Sequence, residues 1–350
     1  MVSNADSVRF EYLRFPLIVG VIYIHTLDIH GAEGAMSTLD FVREVVSQGL
    51  ARLAVPLFFL MSGYFFFGGK HLTKDSYEKK IAARARTLLI PFLFWNLLAL
   101  GIFSIAQAVP AFQKYFSGAT MAIADYEAID YTSAIFGINR PPIAYQFWFI
   151  RDLMLLAIAT PLIDHLLKNF AWATISTLVI CWLLDIGNTN IPSIEATLFF
   201  TVGALASTRG WSVFFVDRFG KLLLISYPAL LLIDSLNIVG KFDPTLHHVT
   251  VAVGICAALH LTCFIHAGGR IASALLKLAG SSFFVYAAHE PLLTIARKLS
   301  LSLLRNAHES ALVLLYIALP ILLAGLLVLL YRILSAGMPS ALSFVSGGRK

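Results

Sequence analysis

Arg14 and His25 stand eleven residues apart in an otherwise apolar stretch. Eleven residues are close to three helical turns, so on a helix the two side chains point the same way, roughly 16 Å apart along the axis. A guanidinium binds phosphates and carboxylates, and an imidazole takes up or releases a proton near neutral pH. One helix face therefore offers an anion-binding group and a potential general base at different depths. Asp28, one turn beyond His25, is placed to orient the imidazole. A lone histidine in an apolar helix is more often a structural hydrogen-bonding residue; its pairing with Arg14 on one face argues for chemistry.

Other charged groups sit where lipid would penalise them. A charge at the centre of a bilayer costs at least about 2.5–3.5 kcal/mol, so such groups face a cavity or a partner. Arg84-Ala85-Arg86 precedes Thr87-Leu88-Leu89-Ile90-Pro91. Two arginines at a helix mouth can clamp a phosphate-bearing ligand, or they can be a topology signal alone. The run from Tyr145 to Asp152 combines an aromatic belt containing Trp148 with Arg151 and Asp152, and His289 and Glu290 fall near the middle of another apolar segment. Arg52 lies near a helix end and is expected to snorkel to the interface. His247, His248, His260 and His266 fall at segment ends and are expected to be structural. Cys181, Cys256 and Cys263 lie in apolar stretches without metal-ligand spacing, so neither a resident metal nor a disulfide framework is expected.

The elements that would carry these residues are membrane helices. Of 350 residues, 58% are hydrophobic and 13% charged, and the mean hydropathy is +0.79. A soluble domain needs about 25% charged residues to cover its surface. Segments of about 20 residues are predicted at 9–29, 50–69, 84–109, 145–165, 170–187, 193–208, 219–238, 247–267, 280–299 and 311–335. The sixth is short, and the seventh holds Pro228 and Asp234. The reading is an all-α polytopic membrane protein of about ten spans, one domain over residues 1–350. Its first span reads as retained rather than cleaved. The net charge of +6 does not imply nucleic acid, because the basic residues collect at helix ends. With the N-terminus inside, sixteen lysines and arginines fall on inner segments and seven, Arg297 among them, on outer ones. Both termini are therefore expected in the cytoplasm.

Taken in order, Arg14-x10-His25, Phe58-Phe59-Leu60-Met61-Ser62-Gly63-Tyr64, Arg84-x-Arg86, Trp148-Phe149-Ile150 and Tyr286-x-x-His289 resemble the acyltransferase 3 family of multi-spanning membrane acyltransferases. The likeness spans nearly the whole chain and is closest to the bare membrane-domain members. It implies an O-acyltransferase, typically an O-acetyltransferase, in a bacterial inner membrane. The implied donor is cytoplasmic acetyl-CoA or another acyl-CoA, used as substrate with no permanently bound cofactor. The implied acceptor is a hydroxyl of a glycan or lipid-linked sugar on the far side, with a polysaccharide-synthesis complex as a possible partner. On this resemblance His25 is the base or acyl-handling residue, with Arg14 and Asp28 beside it. Arg14, Arg84, Arg86 and Ser62 bind the donor. Arg151, Asp152, Trp148, His289 and Glu290 are candidates for the acceptor side. The competing readings are a secondary transporter or exporter of a glycan or small solute, and a non-catalytic assembly subunit. Neither accounts for a one-face Arg–His pair above a basic inner mouth.

Overall fold

The computed structural model describes residues 4–26, 37–110, 121–187, 189–236, 243–304 and 307–348, and among them no strand is present. The chain runs through α1 (Asn4–Ile24), α2 (Thr38–Phe67), α3 (Lys74–Ala108), α4 (Ala128–Phe136) and α5 (Tyr145–Asn169). It continues with α6 (Ala171–Leu183), α7 (Ile194–Thr208), α8 (Gly220–Ser235) and α9 (Pro244–Phe264). The last are α10 (Arg270–Ala279), α11 (Ser282–Leu303), α12 (Glu309–Gly337) and α13 (Pro339–Val345).

Five of these, α2, α3, α5, α9 and α12, are long and apolar enough to cross a bilayer, and α10 with α11, bent by 64°, makes a sixth. The ten expected spans also include α1, whose first half carries Asp6, Arg9, Glu11 and Arg14, and the shorter α6, α7 and α8. Apolar side chains stay exposed along the long helices, as with Leu322 at 69% and Leu326 at 58% on α12. A surface of that kind is stable against acyl chains and unstable against water. The 110–145 connection holds a helix: Glu127 and Asp130 cap α4 reciprocally, and Arg140 reaches Tyr126 Oη and Asp130 O at 3.1 Å.

The closest helix pair is α2 with α7, which run parallel and cross where Gly63 meets Gly203. A Cβ on Gly63 would overlap Phe200 O, and one on Gly203 would overlap Leu60 O. Small residues are what allow such backbone contact. Gly63→Ala or Gly203→Ala must therefore separate two backbones, an overpacking cost of about 1–3 kcal/mol. Thermal denaturation of the detergent-solubilised protein is expected to show a lower Tm for either variant. Gly101→Ala, which meets open space, is expected to leave Tm unchanged.

Proline sets the winding of two helices. Pro56 follows a π-wound stretch, Glu44–Leu50, and a 3-10 turn, Ala51–Leu53. Pro91 follows a π-wound stretch, Ala85–Leu89. In each case the proline ring crowds the carbonyl four residues back, and the preceding turn is rewound. The two irregular stretches adjoin Arg52 and Arg84.

The end of the bundle where α1 begins is held by ion pairs. Arg9 donates to both carboxylate oxygens of Asp217, at 2.6 and 3.0 Å. His260 meets Asp217 at 3.0 Å, and Asp164 holds His71 at 2.7 Å and Lys168 at 2.6 Å. Asp217, His260 and Cys263 come within 4.8 Å of one another, but a carboxylate taken twice by Arg9 is serving an ion pair rather than a metal. The hydrogen bond from Arg9 holds the Asp217 carboxyl below its ordinary range, with His260 adding to the effect against partial burial. A carboxylate lowered in the folded state stabilises fully above its unfolded pKa, about 3.9. That contribution is lost as pH falls through the lower folded value. Tm in detergent is expected to drop at acid pH in the native protein and to be flatter in that window for Asp217→Asn.

Candidate active site

A cavity of about 630 Å³ runs alongside α1, between it and α2, α3, α5 and the α10–α11 bend. Its volume is that of a small-molecule or cofactor-arm site. Glu11, Arg14 and Arg84 border one end, and His25 and Arg52 the other. Arg14 on α1 and His25, the residue that follows its last turn, thus face the same cavity, as their spacing requires. The wall between them is mostly apolar: Ile18, Val21, Phe58, Met61, Phe65 and Phe149, with Ser62 and Trp148.

The α1-start end is cationic. Arg14 is held by Glu11 on its own helix at 3.1 Å, with its side chain 41% exposed. Arg84 lies over the Phe66 ring at 5.9 Å and is close enough to Arg14 for the two charges to repel. Two guanidiniums sharing one mouth favour an anion between them. Arg86 is exposed and does not border the cavity. Residues two apart on a helix point about 200° away from each other, so only one of this pair can face inward.

At the other end, the carbonyl of His25 accepts from Arg297 at 3.0 Å. The His25 ring packs against the edge of Tyr145 at 4.9 Å and stacks on His289 at 5.4 Å with 23° between planes. His289 is fully buried; its Nδ1–H donates to Tyr286 O at 2.6 Å, and its Nε2 has no partner among the described residues. Pro291 disfavours helical geometry at the preceding residue, and Glu290 indeed has φ −104 and ψ 140. The resulting kink turns the Glu290 carboxylate back to accept from Tyr145 Oη at 2.8 Å and from Thr294 N at 3.3 Å. His289 and Glu290 therefore lie behind His25 rather than on the cavity wall.

The remaining sequence candidates divide. Trp148 and Ser62 line the cavity. Arg151 donates to Gly137 O at 2.6 Å and pairs with Asp152 at 2.9 Å, while Asp152 accepts from Ser193 N at 3.1 Å. The two tie α5 to the end of α4 and the start of α7. Asp28 lies outside the described residues.

Several cavity residues escape the sequence argument. Arg52, expected at the interface, is a wall residue whose Nε donates to Gln48 at 2.8 Å. Gln146 donates its side-chain amide to Ala287 O at 3.2 Å, and its main-chain carbonyl accepts from Tyr286 Oη at 2.6 Å. Glu11 was passed over, although its place three residues before Arg14 is the spacing of a helical ion pair. Behind the wall, Arg297, assigned by position to an outer segment, is 9% exposed and bonded to the carbonyl of His25; α11 extends past it, so it is no loop charge.

The profile of a family described as an acyltransferase domain matches residues 7–332. The chain belongs to the acyltransferase 3 family. As a member, it is a multi-pass membrane acyltransferase that transfers groups other than aminoacyl. It is 24% identical to the succinoglycan biosynthesis protein ExoH of Rhizobium meliloti (strain 1021), over 98% of this chain and 92% of that one. It is also 24% identical to the nodulation protein NolL of Sinorhizobium fredii (strain NBRC 101917 / NGR234), over 58% of this chain and 49% of that one. No solved structure matches the chain significantly.

Proposed function

We propose that this acyltransferase moves an acyl group, acetyl or succinyl, from cytoplasmic acyl-CoA to a hydroxyl of an exported polysaccharide in the bacterial inner membrane. The observation that carries the reading is that one cavity has Arg14 and Arg84 at one end and His25 at the other. Coenzyme A is polyanionic and cannot enter lipid, so it docks at the cationic mouth. Its pantetheine arm is thin enough to follow the apolar wall and deliver the thioester to His25. A sugar hydroxyl is a weak acid, so its attack needs a base. His25 takes the hydroxyl proton as the oxygen–carbon bond forms and the carbon–sulfur bond breaks, then returns the proton to the thiolate. General base help of this kind contributes about 10²–10⁴-fold. In this reading the chain crosses the membrane ten times with both termini in the cytoplasm, and no permanently bound cofactor takes part. A polysaccharide acceptor is supported by the likeness to ExoH, named for succinoglycan biosynthesis.

The test is purified protein in nanodiscs, given acyl-CoA with and without exported polysaccharide from the producing cells. Free thiol and ester-linked acyl groups are expected to be released and formed in equal amounts. Absence of both, with the polysaccharide instead moved across a vesicle membrane, would support a transporter.

A further inference from the structure

A neutral histidine can act as a base only if one ring nitrogen is bare toward the substrate and its proton sits on the other. Something must hold that proton in place, or half the rings present the wrong nitrogen. No hydrogen bond to either ring nitrogen of His25 is present among the described residues. His289 has the opposite vacancy. Its Nδ1 bears the proton given to Tyr286 O, so its Nε2 is a bare acceptor, and that atom is buried without a donor. A buried unsatisfied nitrogen costs about 1–3 kcal/mol, and the His25 ring, which has a proton to give, is stacked on this one at 5.4 Å between centroids.

We propose that His289 is the positioning residue of His25. The His25 N–H donates to His289 Nε2, which leaves the other His25 nitrogen bare toward the acceptor hydroxyl. This rests on His25 being the base, as proposed above. The rings as described are near parallel and short of a hydrogen bond. A turn of the His25 ring, whose nitrogens no other described residue holds, closes the pair. The surroundings keep His289 in its role: Tyr286 O fixes its tautomer, and the kink at Glu290 fixes its position on α11. Among the described residues, the other ionisable groups facing the pair include Tyr145 from α5, Arg52 from α2, and Tyr286, Glu290 and Arg297 from α11. Tyr145 directs its hydroxyl to Glu290, and Arg297 directs a guanidinium N–H to the His25 carbonyl. The arrangement is a relay of orientation: Tyr286 carbonyl, His289, His25, hydroxyl. No proton needs to reach His289, so the transfer step balances as before.

The experiment compares His289→Leu and His289→Gln with the native protein, reading turnover per monodisperse molecule, acyl-CoA Kd and the ¹⁵N shifts of His25 in labelled protein. His289→Leu is expected to lower kcat by at least about tenfold with Kd for acetyl-CoA unchanged. It is also expected to turn a single His25 tautomer into a mixture. His289→Gln, which keeps an acceptor oxygen near the Nε2 position, is expected to recover most of the loss. Near-native turnover in folded His289→Leu, or an unchanged His25 tautomer, would overturn the pairing. Equal loss in both variants would also overturn it, because a packing role does not distinguish them. His25→Ala separates the two claims: if that variant keeps its turnover the base assignment fails, and if it is inactive while His289→Leu is active, only the pairing fails.

Discussion

Arg14→Ala combined with Arg84→Ala is expected to raise the Kd for acyl-CoA by about 10²–10⁴-fold, from two charge-assisted hydrogen-bonding groups at about 1.5–3 kcal/mol each. Arg14 is 41% exposed, so solvent screening favours the lower end of that range. Isothermal titration with acetyl-CoA on protein in nanodiscs reads the effect directly. Loss of affinity should be far smaller toward a pantetheine thioester that lacks the phosphates, because the arginines address the anionic part of the donor. Arg86→Ala serves as the comparison, since its side chain is exposed and away from the cavity. Arg14→Lys is expected to recover little, because an ammonium lacks the planar fork that meets a phosphate twice. Unchanged affinity in the double variant would return both residues to the role of topology signals.

His25→Ala is expected to lower acyl transfer by at least about 10²-fold per folded molecule while leaving acyl-CoA affinity near native. The separation follows from distance: His25 stands roughly 16 Å from Arg14 along the helix axis, beyond the reach of phosphates that the proposed donor would dock there. A structural His25 would behave otherwise. The variant would then lose Tm or yield, since the ring packs on Tyr145 and His289, and its folded fraction would turn over normally. Measuring both quantities on the same monodisperse sample distinguishes the two.

The helices were legible because lipid imposes a simple rule: long apolar segments bounded by basic residues. The predicted 311–335 and 145–165 fall within Glu309–Gly337 and Tyr145–Asn169. The Arg14–His25 face was legible from spacing, since α1 stays helical to Ile24 despite Pro16 and His25 N still donates to Val21 O just past its end. Arg52 was not, because its orientation is set by a 3-10 turn that follows a π-wound stretch, and neither has the 3.6-residue period on which spacing arguments rest. Arg84 and Arg86 could not be separated by sequence alone; which of the two faces inward is decided by the packing of α3. His289 and Glu290 were visible as costly groups, but the kink at Pro291 determines that they back His25 rather than line the cavity. Arg151 and Asp152 drew notice for the same reason and proved to be a tie between α5, α4 and α7. Burial cost reveals that a charge has a partner; it does not reveal whether the partner is protein or substrate.

The central claim is that one cavity takes its donor from the Arg14 end and performs transfer at the His25 end. Sealed vesicles of a single orientation, with radiolabelled acyl-CoA on one face and polysaccharide on the other, test it most directly. Labelled ester is expected only when the donor is supplied to the face bearing the N-terminus and the acceptor to the opposite face. Equal labelling with the donor on the His25 face, or transfer that requires both substrates on the same side, would contradict the account.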